Sequence, residues 1–274
     1  MLIEALPYIQ RYNDKIVVVK YGGSAMTDDK LKESVMRDIV LLAQIGINVV
    51  LVHGGGAEIT DTFKRMNIES GFINGLRKTD KEGVDVVLMV LAGKVSKSLV
   101  NLIGNMGGEA ISLTGVDARL FEAERISEEL GYVGSITKVN PKPIIDLLKN
   151  GYIPVVSSIG CDNSGNIYNI NADDAAAKLA SELKAYSLIS LTDTKGILLD
   201  QADESSLIRE ITPSHAEELI SSGVVSGGMI PKIQCCINAV KSGVSQVFII
   251  DGRVPHAILV EVLSDEGIGT MFKL

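Results

Sequence analysis

Residues 16–26 read IVVVKYGGSAM. The first four are apolar and mostly β-branched, the composition of a strand buried on both faces. A lysine ends that run, two glycines follow, and helical periodicity begins near Asp28. A cation at the end of a buried strand, followed by glycines and a helix start, is an arrangement for holding an anion. Glycine lets the backbone approach a ligand without a Cβ in between, and a helix start offers unpaired N–H groups. A single Lys-x-Gly-Gly is usually only a strand end and a turn, so the reading depends on what the rest of the chain supplies.

Outward from this stretch the pattern repeats. Residues 29–45 carry apolar residues at helical spacing and stop at Gly46. Residues 47–52 form a second apolar run, closed by His53-Gly54-Gly55-Gly56 and another helix. Strands alternating with helices at this rhythm give right-handed βαβ units and a mostly parallel sheet. Residues 72–79 read as a hairpin about Asn74-Gly75, 80–104 as a long helix, and 109–139 as several short β-rich pieces. Pro141 opens a further helix. Residues 153–159, 166–170, 186–191 and 246–250 read as strands, and residues 172–183, 213–222, 228–242 and 254–264 as helices. The chain closes on IGTMFKL, a short strand. A soft lobe boundary falls near residue 180, dividing the chain into 1–180 and 181–274.

The chain has 274 residues, 46% hydrophobic and 22% charged, with a formal charge of −8. That is a globular composition. A net acidic chain is a poor partner for nucleic acid, whose binding runs on Lys and Arg contacts to phosphate. No apolar run approaches the ~20 residues that span a bilayer, and residues 1–15 do not read as a signal peptide. Cys161, Cys235 and Cys236 form no C-x-x-C, which fits a reducing cytoplasm. The histidines His53, His215 and His256 show no metal-ligand spacing. A P-loop is missing. The first strand lacks the G-x-G-x-x-G of nicotinamide enzymes, and GGSAM departs from G-x-S-x-G at its last position.

Four further segments carry chemistry. In Asn169-Ile170-Asn171-Ala172-Asp173-Asp174, Asn171 is a good N-cap and acids suit a helix start. Capping leaves Asn169 unexplained, two residues back on the same strand face. In Gly227-Gly228-Met229-Ile230-Pro231-Lys232 a glycine pair opens a helix. Lys232 then sits in its first turns, against the dipole, a local inconsistency typical of function. Arg77, beside the hairpin turn, has the fork geometry to hold a carboxylate. The glycines 54–56 make a second strand–glycine–helix unit beside the first.

Together the segments VVVKYGGSAM, LVHGGG, NGLRKT, GYVG, PVVSSIG, YNINADDAAA, LTDTKGIL and GGMIPK resemble the amino-acid kinase family, in the family's order and over nearly the whole chain. Within the family the resemblance is to enzymes that phosphorylate the side-chain carboxylate of N-acetyl-L-glutamate in arginine biosynthesis. It implies a three-layer α/β/α sandwich around a mainly parallel sheet of about eight strands, with the acyl amino acid on the N-terminal part and ATP, with Mg²⁺, on the C-terminal part. It implies that Lys20 and Lys232 contact the phosphoryl group in flight and that Asp173 holds both lysines. Gly22, Gly23, Gly55 and Gly56 supply N–H groups to phosphate and substrate. Arg77 grips the α-carboxylate, and Asn169 contacts the same ligand. Asp193, Thr194, Lys195, Gly196, Ile197 and Leu198, with Val224, Val225 and Ser226, border the nucleotide. Thr194-Lys195 departs from the family's usual residues there. Arg77 and Asn169 do not separate N-acetylglutamate from related carboxylate or carbamate substrates, such as aminoadipate derivatives, and a non-catalytic amino-acid sensor keeps the same fold. The resemblance further implies a homo-oligomer, a dimer or a ring-shaped hexamer interlaced by an N-terminal helix with Leu2, Ile3, Leu6 and Ile9 on one side. L-Arginine would act there as an inhibitor, with Glu261 as its carboxylate partner.

Overall fold

Residues 16–21 become the centre of the molecule because they are apolar on both sides. In the computed structural model, which describes residues 2–200, 202–265 and 267–274, β1 (Ile16–Tyr21) lies between two parallel neighbours. We number the other strands of its sheet β2 (Asn48–His53), β3 (Ala110–Thr114), β4 (Ile153–Ser157), β5 (Ser187–Thr192), β6 (Glu210–Ile211), β7 (Gln246–Asp251) and β8 (Thr270–Phe272). Their spatial order is β6-β8-β7-β5-β1-β2-β4-β3. Six strands run one way, while β8 is antiparallel to β7 and β6 is parallel to β8. The chain leaves β1 for β2 on one side and returns as β5 on the other. β1 is therefore a switch point, and a crevice opens beyond its carboxyl end.

Alternation along β1 builds two cores. Val17 and Val19 join Leu51, Val155 and Ile189 under the helices α2 (Asp29–Gln44) and α4 (Lys81–Asn105). Val18 joins Val50, Val52 and Val156 under α6 (Ala172–Glu182) and α8 (Met229–Lys241). Each such fully buried side chain stabilises the fold by roughly 1.5–3 kcal/mol. The remaining helices are α1 (Leu2–Tyr12), α3 (Gly56–Arg65), α5 (Lys142–Lys149), α7 (Pro213–Ser221) and α9 (Ala257–Leu263). Helices on both faces of a mainly parallel sheet make the expected three-layer sandwich.

Several expectations need correction. α4 is 25 residues, long and apolar enough by length and composition to cross a membrane, although no apolar run of that size was read in the sequence. In this fold Val84, Val87, Leu91, Val95 and Leu99 pack that helix into the core. Its middle, Met89–Val95, is π-helical. The run 153–159 breaks at Ser158, and Ile159–Cys161 leaves the sheet to close a small barrel with Phe121–Arg125, Val133–Val139 and Ile167–Ile170. α9 starts three residues later than expected, because His256 takes φ +58° and is tied back to α2. Its N–H donates to Ser34 Oγ at 2.9 Å, and its Nδ1 lies 2.6 Å from Asp38 Oδ1. Pro7 is accommodated inside α1.

Two glycines separate close approach from mere presence. A Cβ on Gly115 would lie 1.9 Å from the Ile159 carbonyl oxygen, where the end of β3 crosses the barrel. A Cβ on Gly104, exposed in α4, would meet nothing within 4 Å. Gly115→Ala should lower unfolding stability by about 1–3 kcal/mol through overpacking. Gly104→Ala should raise it by roughly 0.5–1 kcal/mol. Urea unfolding of both variants checks the pair, and equal effects of one sign would contradict this packing.

Candidate active site

Lys20 reaches the site because β1 ends there. Its side chain is nearly buried, and its Nζ lies 2.9 Å from Asp173 Oδ1. Asp173 stands in the first turn of α6, where the helix dipole favours an anion. Asn171 caps that helix, its Oδ1 accepting from the N–H groups of Asp173 at 2.8 Å and Asp174 at 3.3 Å. Lys232, in the first turns of α8, places its Nζ 3.6 Å from Asp173 Oδ2. Its position against the dipole is thus explained by the carboxylate opposite. Burial alone would raise the Asp173 pKa, but Lys20 and Lys232 overcome it and hold the carboxyl below its ordinary value. Ser190 on β5, the register partner of Lys20, donates from Oγ to Asp173 Oδ1 at 3.3 Å. Sequence reasoning missed Ser190. Its signal was weak, because Ser187 and Thr192 place two other hydroxyls in the same strand.

The glycines after β1 serve Lys20. A Cβ on Gly22 would come within 3.2 Å of Lys20 Nζ, and one on Gly23, at φ +71°, within 2.7 Å of Asp193 Oδ1. The chain makes a 3-10 turn at Gly23–Met26, closed by Tyr21 OH donating to the Ala25 carbonyl at 2.7 Å. The start of α2 is not the anion site that the sequence suggested. Asp28 caps it, accepting from the N–H groups of Lys30 and Leu31 at 2.9 and 3.0 Å. The uncapped helix starts near the crevice are those of α3, at Gly55, and α8, at Gly228. Those two ends are available to anions.

On one side of Lys20 lies a cavity of about 320 Å³, lined by Gly54, Gly55, Gly56, Arg77, Asn169 and Asn171 together with Thr60, Phe72, Leu76, Leu91 and Ser158. Arg77 is carried there by a tight hairpin whose Asn74 and Gly75 have φ +50° and +80°. Arg77 as a whole is 7% exposed. It donates from Nη1 to Ser70 Oγ at 2.6 Å, and from Nη2 to Thr60 Oγ1 at 2.6 Å and the Gly56 carbonyl at 3.0 Å. Phe72 stacks over it at 4.6 Å. None of its bonds among the described residues goes to a carboxylate, and burial lowers its pKa. A buried cation without an anion is costly, so this site favours an anionic ligand. Asn169 is held by its Nδ2 donating to Thr79 Oγ1 at 3.3 Å.

On the other side Thr194, Gly196, Ile197, Leu198, Val224, Val225 and Ser226 line a cavity of about 270 Å³, with Met229 and Ile233 from α8. Asp193 and Lys195 do not line it. Asp193 faces Gly23, and Lys195 pairs with Glu204 at 2.5 Å. A third, open cavity of about 480 Å³ contains Asp173 and Lys232 and shares Leu76 and Asn171 with the first. The first cavity reaches Asn171, two residues before Asp173, and the second reaches Met229 and Ile233 on either side of Lys232, so both approach the two ammonium groups organised by one carboxylate. Chemically, this can draw two anions together and stabilise charge passing between them.

The model of the amino acid kinase family matches residues 15–251. The chain is 52% identical to the acetylglutamate kinase of Brachyspira hyodysenteriae, covering 99% of this chain and 95% of that one. It is 53% identical to the acetylglutamate kinase of Clostridium kluyveri, covering 99% and 96%. Its fold is similar to the N-acetylglutamate synthase of Neisseria gonorrhoeae complexed with coenzyme A and N-acetyl-glutamate, with a TM-score of 0.88 at 24% identity. That match covers all of this chain and 62% of the synthase. By sequence and by fold, the chain belongs to the amino acid kinase family.

Proposed function

We propose that the protein is an acetylglutamate kinase, transferring the γ-phosphoryl group of ATP to the side-chain carboxylate of N-acetyl-L-glutamate in arginine biosynthesis. The observation that carries the reading is the Lys20–Asp173–Lys232 cluster, beside an Arg77-bearing cavity that reaches Asn171 and an apolar one that reaches Met229 and Ile233. N-Acetylglutamate takes the first cavity, with its α-carboxylate on Arg77 and its polar groups near Asn169 and the amides of Gly55 and Gly56. ATP takes the second, its adenosine against residues 194–198 and 224–226 and its phosphates toward Gly22, Gly23 and the α8 start. The division of labour is then 1–180 for the acyl amino acid and 181–274 for the nucleotide. Every lining residue of the first cavity falls in the earlier range, and every one of the second in the later. Three free thiols suit a cytoplasmic setting.

The acceptor carboxylate, with an ordinary pKa of ~4.3, is already ionised at neutral pH, so no general base is required. One of its oxygens bonds to the γ-phosphorus as the bond to the β–γ bridging oxygen breaks, and ADP leaves with that electron pair. The obstacle is repulsion between anions. Lys20 and Lys232 lower it where charge passes through the transferring group. Asp173 keeps their Nζ atoms in place. Among the described residues no group of three or more His, Cys, Asp or Glu is arranged for a metal, and Asp173 is occupied by the lysines. Mg²⁺ therefore fits as a companion of the ATP phosphates, its usual mode in kinases, rather than as an ion caged by this chain.

Regulation by arginine and assembly as a hexamer complete the proposal. They are supported by α1, whose Ile3 and Leu6 are 84% and 48% exposed, although its far end is anchored by buried Tyr12. The Leu2 side chain lies outside the described residues. A cavity of about 240 Å³ between α1 and α9 is lined by Tyr8, Arg11, Arg209, Glu261, Ser264 and Asp265. Glu261 is half-buried rather than a solvated surface acid. Its Oε2 accepts from the N–H groups of Ile268 at 2.8 Å and Gly269 at 3.1 Å, and the positive charge of Arg209 acts on the same carboxylate. Burial raises its pKa, against those bonds.

Trapping the acyl phosphate with hydroxylamine tests the reaction. The wild-type protein should form N-acetylglutamyl hydroxamate only with both ATP and N-acetylglutamate, and faster than with N-acetyl-2-aminoadipate. Lys20→Met should lower turnover roughly 100-fold or more. Arg77→Ala should raise KM for N-acetylglutamate far more than KM for ATP, because a charged contact to the α-carboxylate is lost. No hydroxamate from the wild-type protein would overturn the assignment. For regulation, light scattering should show a hexamer, and millimolar L-arginine should inhibit wild type more than Glu261→Ala. Dimers insensitive to arginine would refute that part.

A further inference from the structure

His53 ends β2 with its ring wholly buried. Its Nδ1 lies 2.8 Å from the Gly54 carbonyl oxygen, and its Nε2 lies 2.8 Å from Ser96 Oγ. A carbonyl oxygen can only accept, so Nδ1 carries the proton. Nε2 is then the acceptor, and the Ser96 hydroxyl must donate to it. Burial pushes the imidazole down to about 4, against the pull of the Gly54 carbonyl. The ring is therefore neutral at working pH and takes no part in phosphoryl transfer as a base. What it does contact is the loop that forms one wall of the proposed N-acetylglutamate cavity.

That loop is held from three sides. The Gly54 N–H donates to the Tyr21 carbonyl at 3.1 Å. A Cβ on Gly54 would face Ala172 at 3.3 Å, and one on Gly55 would stand 2.6 Å from Leu91 Cδ2 and 3.3 Å from Val95 Cγ2. Leu91 and Val95 belong to the π-helical part of α4, and Ser96 follows it directly. π-Helical turns inside longer helices are frequent at functional sites. Here the turn sets Leu91 into the cavity wall against the glycines.

We propose that His53 is a positioning residue for substrate binding. Its ring fixes the Gly54 carbonyl and, through Ser96, registers the π-helical turn of α4 against Gly54–Gly56. The loop amides and Leu91 then meet the acyl amino acid in one arrangement. This rests on the assignment of that cavity to N-acetylglutamate.

Asparagine places an N–H donor near the position of Nδ1, whereas glutamine reaches toward that of Nε2. His53→Gln should raise KM for N-acetylglutamate by about tenfold, the scale of one buried hydrogen bond, with KM for ATP within about twofold. His53→Asn, which keeps the donor to Gly54, should recover most of the loss, and Ser96→Ala should raise the same KM by a smaller factor. In the wild-type protein, the ¹⁵N resonance of His53 Nε2 should report an unprotonated nitrogen and shift on titration with N-acetylglutamate but not with MgATP. That measurement decides the matter if the variants do not fold. Equal effects of Asn and Gln, parallel changes in both KM values, or an unmoved Nε2 resonance would overturn the positioning role while leaving the kinase assignment intact. A wild-type protein without N-acetylglutamate-dependent turnover would remove the substrate assignment and the positioning role with it.

Discussion

A single partly buried carboxylate sets the geometry of this molecule's chemistry. The Asp173 side chain is 18% exposed, and an isolated charge there would be disfavoured. Two ammonium groups, at 2.9 and 3.6 Å, make it tolerable. The arrangement is reciprocal, because Lys20 is itself nearly buried and Lys232 sits at the wrong end of a helix dipole. Two cations and one anion leave one net positive charge facing the crevice. The central strand must end where it does, and α6 and α8 must start beside each other, for these three atoms to meet. Truncating Asp173 would leave two like charges facing each other, so its loss reaches further than one hydrogen bond.

The cavity proposed for the acyl amino acid works on a related constraint. Arg77 is buried before any ligand arrives, fixed by two hydroxyls, one carbonyl and the face of Phe72. Preorganisation of this kind removes the ordering cost from the binding step. The cavity proposed for the nucleotide is different. It is mostly apolar, formed by Ile197, Leu198, Val224 and Val225, and suits a planar base rather than a charge. The contrast between the two walls gives the site its polarity, with a buried guanidinium lining one cavity and apolar side chains the other.

Much of this was legible in the chain. The runs at 16–19 and 49–52 are apolar at every position, as strands covered on both faces require, and the glycines after them mark where the strands end. Lys232 was readable because it contradicts the helix dipole. Other features were hidden for physical reasons. β6 is two residues long and is defined by its partner β8, so no local periodicity announces it. The break at Ser158 comes from the barrel that claims Ile159–Cys161, a tertiary demand on an otherwise continuous apolar run. Asp28 marked in the sequence only where helical periodicity begins, yet its side chain closes the end that the sequence offered to phosphate. Asp193 and Lys195 fall within a segment whose neighbours line the nucleotide cavity, but their side chains turn toward Gly23 and Glu204.

The central claim is that Lys20, Asp173 and Lys232 act as one unit. A double-mutant cycle on kcat measures this directly, using Asp173→Asn, Lys232→Met and the combined variant, with each fold checked by circular dichroism. If Asp173 acts by holding the lysine, the combined variant should be little slower than the slower single variant, because residues acting as a unit are grossly non-additive. Losses that multiply, as for independent sites, would contradict the account.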